Sequence, residues 1–211
     1  MTEEDAQAWL RTELLASSET IERLAALRAI VIEEAGRQNL ISASTIEHFW
    51  VRHIVDSAQL LPLAAKAKPE SGWIDLGTGA GFPGLVIAIL REAPILFVES
   101  RRKRSDFLLA TAEQLGLHHV RIHAGRLETL PDDAFGVISA RAFAPLHRLF
   151  PLAHRFSRKK TIWLLPKGRT AREEVNGVFS TWQGVFHVKQ SLTDDEAAII
   201  VASGVTKKGK A

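Results

Sequence analysis

The chain has 211 residues, of which 46% are hydrophobic and 24% charged, so it should fold around one main core and is neither disordered nor low-complexity. It contains no cysteine, which excludes disulfides, cysteine-ligated metal centres and a thiolate nucleophile. No apolar run reaches the roughly 18 to 20 residues that cross a bilayer. The first five residues, Met-Thr-Glu-Glu-Asp, carry a net negative charge from their side chains where a secretory signal would be basic. We therefore expect a cytoplasmic protein with no membrane contact.

The charge is divided unevenly along the chain. Residues 1–70 contain 11 acidic and 7 basic residues, a balance of −4, whereas residues 71–211 contain 13 and 20, a balance of +7. A basic module with an acidic extension is typical of a protein that binds a polyanion, although a solvated basic surface would give the same count. The densest basic run is Arg101-Arg102-Lys103-Arg104.

The N-terminal part has a helical pattern, because apolar residues recur at helical spacing between residues 3 and 66. Ser44 to Glu47 have the Ser-x-x-Glu form of a capping box, which predicts a helix beginning near Thr45. Proline and glycine then interrupt the pattern near residue 70. The sequence thus predicts a helical extension over residues 1–70 and a main domain over residues 71–211.

Strand-like and helix-like segments alternate after residue 70, which predicts an α/β fold with a mostly parallel, doubly wound sheet. The apolar segments 185–189 and 197–202 have no helix between them, so they are expected to form an antiparallel pair at the sheet edge. The other strands are predicted near residues 73–76, 95–99, 120–124, 136–140 and 161–165, and the helices near residues 84–92, 103–116, 145–156 and 170–176.

A glycine-rich turn, Asp75-Leu76-Gly77-Thr78-Gly79-Ala80-Gly81-Phe82-Pro83-Gly84, follows the first predicted strand. Glycines allow the backbone to turn tightly and to approach a ligand, and the following helix offers free amides to an anionic group. Residues 79–84 also match the dinucleotide fingerprint G-x-G-x-x-G. An NAD(P)-dependent oxidoreductase is therefore one interpretation of this turn.

Two carboxylates bear on the identity of the ligand. Asp75 precedes the first of three evenly spaced glycines by two residues, an arrangement that resembles motif I of class I S-adenosylmethionine-dependent methyltransferases. This acid can either position the turn or meet the amino group of the cofactor. Glu99 ends the second predicted strand, where a carboxylate can accept both ribose hydroxyls. Since nicotinamide cofactors also contain ribose, Glu99 supports both interpretations.

Absent residues restrict the methylation chemistry. Without cysteine the usual covalent route to cytosine C5 is closed, and no Asp-Pro-Pro-Tyr-like tetrapeptide follows the fourth strand, which disfavours the adenine amino group. A nucleophile that carries a free lone pair needs positioning and exclusion of water but no general base. Guanine N7 is one such atom.

The chain contains a series of short motifs, among them Arg52 to Ser57, Asp75 to Gly84 and Pro166 to Gly168. In these motifs it resembles the RsmG (GidB) family of bacterial small-subunit rRNA guanine-N7 methyltransferases. The resemblance implies a class I methyltransferase domain over residues 71–211, with a Rossmann-like, seven-stranded sheet and S-adenosyl-L-methionine as cofactor. It further implies methylation of N7 of guanine 527 in the 530 loop of 16S rRNA, either free or in a small-subunit particle. The matching residues are Asn39-Leu40, Arg52 to Ser57, Asp75 to Gly84, Glu99-Ser100, Lys103-Arg104, Phe107-Leu108, Gly125 to Glu128, Ala140 to Ala142 and Pro166 to Gly168.

The resemblance also implies cofactor contacts at Gly77, Phe82, Leu127, Glu128 and Arg141. An ordinary salt bridge is the alternative for Arg141, and no general base is expected. Arg52, His53 and Asp56 share a helix face, where they either pin the extension to the sheet or face the substrate. The complete set of expected cofactor contacts is Asp75, Gly77, Gly79, Gly81, Phe82, Glu99, Leu127, Glu128 and Arg141, and the expected RNA contacts are Arg52, His53, Lys103, Arg104, Lys167 and Arg169.

Two further interpretations concern metals and catalysis. His118, His119 and His123 cluster without a carboxylate at ligand spacing, so no metal site is expected. A non-catalytic RNA-binding protein with a methyltransferase-like fold is a further alternative to the enzyme, although the intact glycine turn argues against it.

Overall fold

The computed structural model describes residues 1–209 and contains one seven-stranded sheet in the order β3-β2-β1-β4-β5-β7-β6. Strands β1 to β5 are mutually parallel, whereas β7 is antiparallel to both of its neighbours. The predicted doubly wound sheet with an antiparallel edge is confirmed, and the edge pair is longer than predicted. The strands are β1 Trp73–Leu76, β2 Ile95–Glu99, β3 Val120–Ala124, β4 Val137–Ala140, β5 Ile162–Lys167, β6 Trp182–Gln190 and β7 Ala198–Lys207.

Helices connect the parallel strands and form the N-terminal part. The connection between β3 and β4 is the exception, since it contains only a 3₁₀ turn, Leu127–Thr129. A π-helical stretch, Trp50–Val55, leads directly into α3. The α-helices are α1 Glu3–Glu13, α2 Ser18–Ala35, α3 Asp56–Ala58, α4 Leu60–Leu63, α5 Gly84–Leu90, α6 Arg102–Gln114, α7 Leu146–Ala153 and α8 Ala171–Val178.

The predicted capping box at Ser44 is wrong, because Ala43–Thr45 form a 3₁₀ turn without a side-chain cap. The helical stretch begins five residues beyond Thr45, at Trp50. Its free amides at Trp50 and Val51 are capped by the carboxylate of Glu3, which is far away in the chain. Both N···O distances are 3.1 Å. A carboxylate from α1 thus does what the local sequence motif was expected to do.

Hydrophobic side chains cover both faces of the sheet. The N-terminal helices pack with α5 and α6 on one face, in a cluster that includes the buried Trp73 and Phe97. Helices α7 and α8 cover the other face around Phe150 and Trp163. The loops at the carboxyl ends of the strands carry the polar residues from which a site can be built.

Residues 1–209 contain neither a membrane-spanning helix nor a cluster of metal-ligating side chains. In this part of the chain, no helix combines the length and apolar character needed to span a membrane. Over the same residues, no group of three or more histidine, aspartate or glutamate side chains is arranged to hold a metal ion.

Candidate functional site

The order of the strands along the sheet switches direction between β1 and β4, because β2 and β3 lie on one side of β1 and β4 and β5 on the other. Such a switch point is where ligands bind in doubly wound sheets. The glycine turn, residues 77–83, lies at the carboxyl end of β1 on this boundary. Gly77, Gly79 and Gly81 have φ values of +66°, +62° and +99°, conformations that side chains rarely adopt. All three positions therefore require glycine for the backbone alone.

The three glycines differ in how much space surrounds them. A Cβ on Gly77 would lie 2.5 Å from the Phe143 ring, and one on Gly81 would lie 2.3 Å from Leu85. On Gly79 the nearest atom would be the guanidinium of Arg104, at 3.6 Å. Gly79 is thus the most open of the three, and it is where a ligand can approach the backbone.

The Asp75 side chain fixes the glycine turn from within the core. Its carboxylate is completely buried and accepts hydrogen bonds from the Ser139 hydroxyl at 2.6 Å and the Gly84 amide at 3.1 Å. Burial raises the pKa of Asp75 to about 6, while the two donors act in the opposite direction. Of the two roles expected for this acid, the contacts favour positioning the turn over meeting a ligand.

Glu99 lies beside the turn at the end of β2. Its buried carboxylate accepts from the amides of Gly79 at 3.0 Å and Arg101 at 2.8 Å. A carboxylate can accept about four hydrogen bonds, so it keeps capacity for hydroxyl donors. Glu99 and Gly79 together form a polar cradle suited to a ribose.

Phe82 lies in the core, with 3% of its surface exposed. The His53 ring stacks on it at 4.8 Å between centroids, and the Arg141 guanidinium lies 5.4 Å from the ring centre. Burial, reinforced by the nearby Arg141 and Arg52, lowers the pKa of His53 to about 3. His53 is consequently neutral and buried, although it was expected at the RNA surface.

Arg141 joins the sheet to the N-terminal helices. It pairs with Asp56 at 3.0 Å and donates to the backbone oxygen of Arg52 at 3.4 Å. Asp56 also accepts from the Thr193 hydroxyl at 2.9 Å, and Arg52 pairs with Asp194 at 2.7 Å. The Arg52 and Asp56 side chains therefore form the pinning network that was one of their two expected roles.

The Leu127–Thr129 turn follows β3 near the carboxyl edge. Leu127 is buried, whereas Glu128 is exposed and pairs with Arg126 at 3.0 Å. A hydrogen bond to its own backbone and, second, the contact with Arg126 lower the pKa of Glu128. Arg155 holds the turn by donating to the backbone oxygens of Leu127 and Leu130.

A cavity of about 730 Å³, here called the β4–β5 cavity, opens at the carboxyl ends of β4 and β5. Its walls come from four segments, at residues 52, 53 and 56, at 141–145, at 166–168, and at 194 and 197, together with Thr45 and Glu174. Phe143, which lines this cavity, also packs against Gly77 of the glycine turn. The site therefore has two neighbouring parts: the polar cradle of Gly79 and Glu99, here called the β1–β2 compartment, and the β4–β5 cavity.

The remaining expected RNA contacts lie in different settings. Lys103 is exposed at the start of α6. The Arg104 guanidinium lies beside Gly79 and donates to the backbone oxygen of Asn39. Arg169 is exposed and pairs with Glu196. Lys167 is largely buried in the β4–β5 cavity and pairs with Glu174 at 2.9 Å.

Several site residues were missed from the sequence. Ser139 lies opposite Asp75 in the β1–β4 register and could have been noticed as a polar residue in a buried strand. Phe143, Thr193 and Asp194 carry no local signal, because each acts through a partner far away in the chain. Glu174 pairs with Lys167 only seven residues earlier, but the pairing depends on how α8 packs.

Solved structures share the fold at low sequence identity. A structure titled as a SAM-dependent methyltransferase from Aquifex aeolicus matches with TM-score 0.60 and 14% identity, covering 79% of this chain and 96% of that one. An O-methyltransferase from Bacillus cereus in complex with SAH matches with TM-score 0.60 and 13% identity, covering 93% and 96%. Fold and site define a class I methyltransferase whose cofactor is S-adenosyl-L-methionine.

Sequence comparison narrows the class further. Residues 20–195 match the GidB family, described as rRNA small subunit methyltransferase G. Proteins named ribosomal RNA small subunit methyltransferase G are 55% identical in Rhizorhabdus wittichii, covering 100% of this chain and 96% of the relative, and 38% identical in a Jannaschia species, covering 100% of both. The chain belongs to the rRNA small subunit methyltransferase G family, as its sequence motifs predicted.

Proposed function

We propose that this protein transfers a methyl group from S-adenosyl-L-methionine to N7 of guanine 527 in the 530 loop of 16S rRNA. The observation that carries the proposal is the β4–β5 cavity, which adjoins the glycine turn and has the size of a pocket for a displaced nucleotide. Family membership supplies the substrate class, since its relatives are named for small-subunit rRNA. The substrate is free 16S rRNA or a small-subunit particle.

The β1–β2 compartment fits the cofactor. S-adenosyl-L-methionine, when bound, supplies an electrophilic methyl group on a sulfonium centre. Glu99 would accept the ribose hydroxyls beside the open backbone of Gly79, and Asp75 keeps the turn in place from within the core. Leu127 and Glu128, at the carboxyl end of the neighbouring β3, would lie against the adenine.

Orientation is the main contribution of the chain to the reaction. Guanine N7 has no proton to remove, and the buried histidine near the cavity, His53, has a pKa of about 3 and is not suited to accept one. Methylation places a positive charge on the base. Arg141, at the cavity wall, is already neutralised by Asp56 and therefore opposes this charge less than a free arginine would.

Basic side chains near the two compartments would hold the RNA backbone. Lys103, Arg104 and Arg169 are the proposed phosphate contacts, with Arg52 at the edge of the cavity. Such contacts position the RNA without reading its sequence.

Mapping the methylated nucleotide tests the proposal. The purified protein is incubated with labelled S-adenosyl-L-methionine and either 16S rRNA or small subunits that lack the modification. Borohydride reduction and aniline then cleave RNA at 7-methylguanine. We expect cleavage at position 527 in at least one substrate. Methyl transfer to another atom or nucleotide would contradict the proposal, and cofactor binding without any transfer would favour a non-catalytic RNA-binding protein.

A further inference from the structure

One ion pair inside the β4–β5 cavity has no part in the function proposed so far. Lys167, the last residue of β5, and Glu174, in the first turn of α8, have side chains only 12% and 17% exposed. Both line the cavity. Charged side chains are seldom buried this far unless they are paired, and here the pair faces an open space.

The two charged groups are only partly used by the protein. The Lys167 ammonium donates to the backbone oxygen of Ala144 at 2.8 Å and forms an ion pair with Oε2 of Glu174 at 2.9 Å, and an ammonium has three donors. Oε2 of Glu174 also accepts from the Leu146 amide at 2.9 Å. Within residues 1–209, Oε1 has only a 3.4 Å contact from the Thr170 hydroxyl. The pair thus retains one N–H donor and one nearly free carboxylate oxygen.

This combination of an N–H donor and a carboxylate acceptor matches the hydrogen-bonding edge of one base, guanine. The Watson–Crick edge of guanine presents the O6 acceptor next to two donors, N1–H and the 2-amino group, whereas adenine presents a donor next to an acceptor. We propose that the Lys167–Glu174 pair selects guanine, with Lys167 donating to O6 and Glu174 accepting from N1–H and the 2-amino group. This inference rests on the proposed function and assigns the residues that determine its base specificity.

The arrangement leaves the reacting atom free. N7 lies across the purine from the 2-amino group, beyond O6, so a guanine held on its Watson–Crick edge turns N7 away from Glu174. Arg141 and Phe143 also line the cavity, and Phe143 packs against Gly77 of the glycine turn. A positive charge on the methylated ring also makes N1–H a stronger donor, so the contact with Glu174 strengthens as the methyl group is transferred.

The variant Glu174→Gln gives a sharp test. The Leu146 amide donates to Oε2 and the Lys167 ammonium pairs with it, so an oxygen stays at that position and the amide nitrogen of the variant replaces Oε1. A donor then faces the donors of guanine. Glu173→Gln is the matched control, because Glu173 is the neighbouring residue and is exposed.

The substrates are target RNAs that carry guanine, inosine or 7-deazaguanine at the methylated position. Inosine lacks only the 2-amino group. For the wild-type protein and Glu173→Gln, we expect kcat/KM to be about 10- to 100-fold lower for inosine than for guanine, the effect of one hydrogen bond to a charged group. For Glu174→Gln we expect a lower rate with guanine and a guanine-to-inosine ratio near one, with unchanged affinity for S-adenosylhomocysteine by calorimetry.

A full preference for guanine in Glu174→Gln would overturn the inference. Should that variant not fold, the wild-type protein alone decides, since equal rates on guanine and inosine would also overturn it. 7-Deazaguanine tests the proposed function separately, because the N7 nucleophile is replaced by carbon. Undiminished methylation of that substrate would refute the N7 assignment whatever the behaviour of Glu174.

Discussion

The β1–β2 side and the β4–β5 side of the carboxyl edge of the sheet are built in different ways. On the β1–β2 side, buried carboxylates fix backbone amides that are nearby in the chain, as Asp75 does for Gly84 and Glu99 for Arg101. On the β4–β5 side, ion pairs join distant segments, as Arg141 does with Asp56. The difference indicates that the cofactor side depends on backbone geometry, whereas the substrate side depends on paired charges.

Gly77→Val should produce the largest effect and tests the dependence on backbone geometry. The left-handed backbone disfavours a β-branched residue, and its Cβ would overlap the Phe143 ring. We expect affinity for S-adenosylhomocysteine, measured by calorimetry, to fall by about 100-fold or more, corresponding to roughly 3 kcal/mol. Gly177→Val is the matched control, since the structure has nothing within 4 Å of a Cβ at Gly177. Normal binding by Gly77→Val would remove the steric basis of this compartment.

His53 provides a pH-dependent test of the link between the two sides. The unfolded chain binds a proton at this histidine near pH 6.5, whereas burial lowers the pKa of the folded form to about 3. The stability present above pH 6.5 is therefore lost as the pH falls towards 3, by about 1.4 kcal/mol per pH unit. Relative to His53→Gln, the wild-type protein should lose this stability between pH 6 and 4 in chemical denaturation.

The comparison with His53→Gln isolates one group. Asp75, whose pKa burial raises to about 6, titrates in both proteins and cancels from the difference in unfolding free energy. A difference that is constant from pH 4 to pH 7 would show that His53 is not buried as described.

Asp56→Ala tests the paired charges of the substrate side. Its removal leaves Arg141, 24% exposed, without its carboxylate, and frees the Thr193 hydroxyl. We expect the unfolding free energy to fall by about 2 kcal/mol, between the values for surface and buried pairs. Asp106→Ala breaks the exposed pair with Arg102 and should cost at most about 0.5 kcal/mol. Equal losses from both variants would mean that the Asp56 pair contributes no more than a surface contact.

Lys103→Ala should have the smallest effect, on RNA affinity alone. Removing one phosphate contact should reduce the slope of log affinity against log salt by about one, without changing cofactor affinity. Lys68, exposed and next to the N-terminal end of β1, is the control, and Lys68→Ala should leave the slope unchanged. An unaltered slope in Lys103→Ala would remove this residue from the RNA surface.

The same difference explains how much the sequence could predict. The glycine turn, Asp75 and Glu99 lie within 25 residues, and each has a recognisable position relative to a strand end, so the cofactor side could be predicted locally. The alternation of strands and helices predicted the sheet for the same reason. The cap supplied by Glu3 to Trp50 could not be predicted, because it connects residues 47 positions apart.

The substrate side was predicted less well. Lys167 was expected at an RNA phosphate, but its partner Glu174 and its burial depend on how α8 packs. His53 was expected at the RNA surface, yet its burial depends on Phe82. Residue types identify groups that can bind an anion, whereas tertiary packing decides which of them are exposed.

A crystal structure with S-adenosylhomocysteine and a guanine nucleotide would test the two-compartment site most directly. We predict that the ribose of S-adenosylhomocysteine contacts Glu99 beside Gly79, and that the base occupies the β4–β5 cavity with N7 facing the sulfur. S-Adenosylhomocysteine in the β4–β5 cavity, or a base bound outside it, would contradict the account.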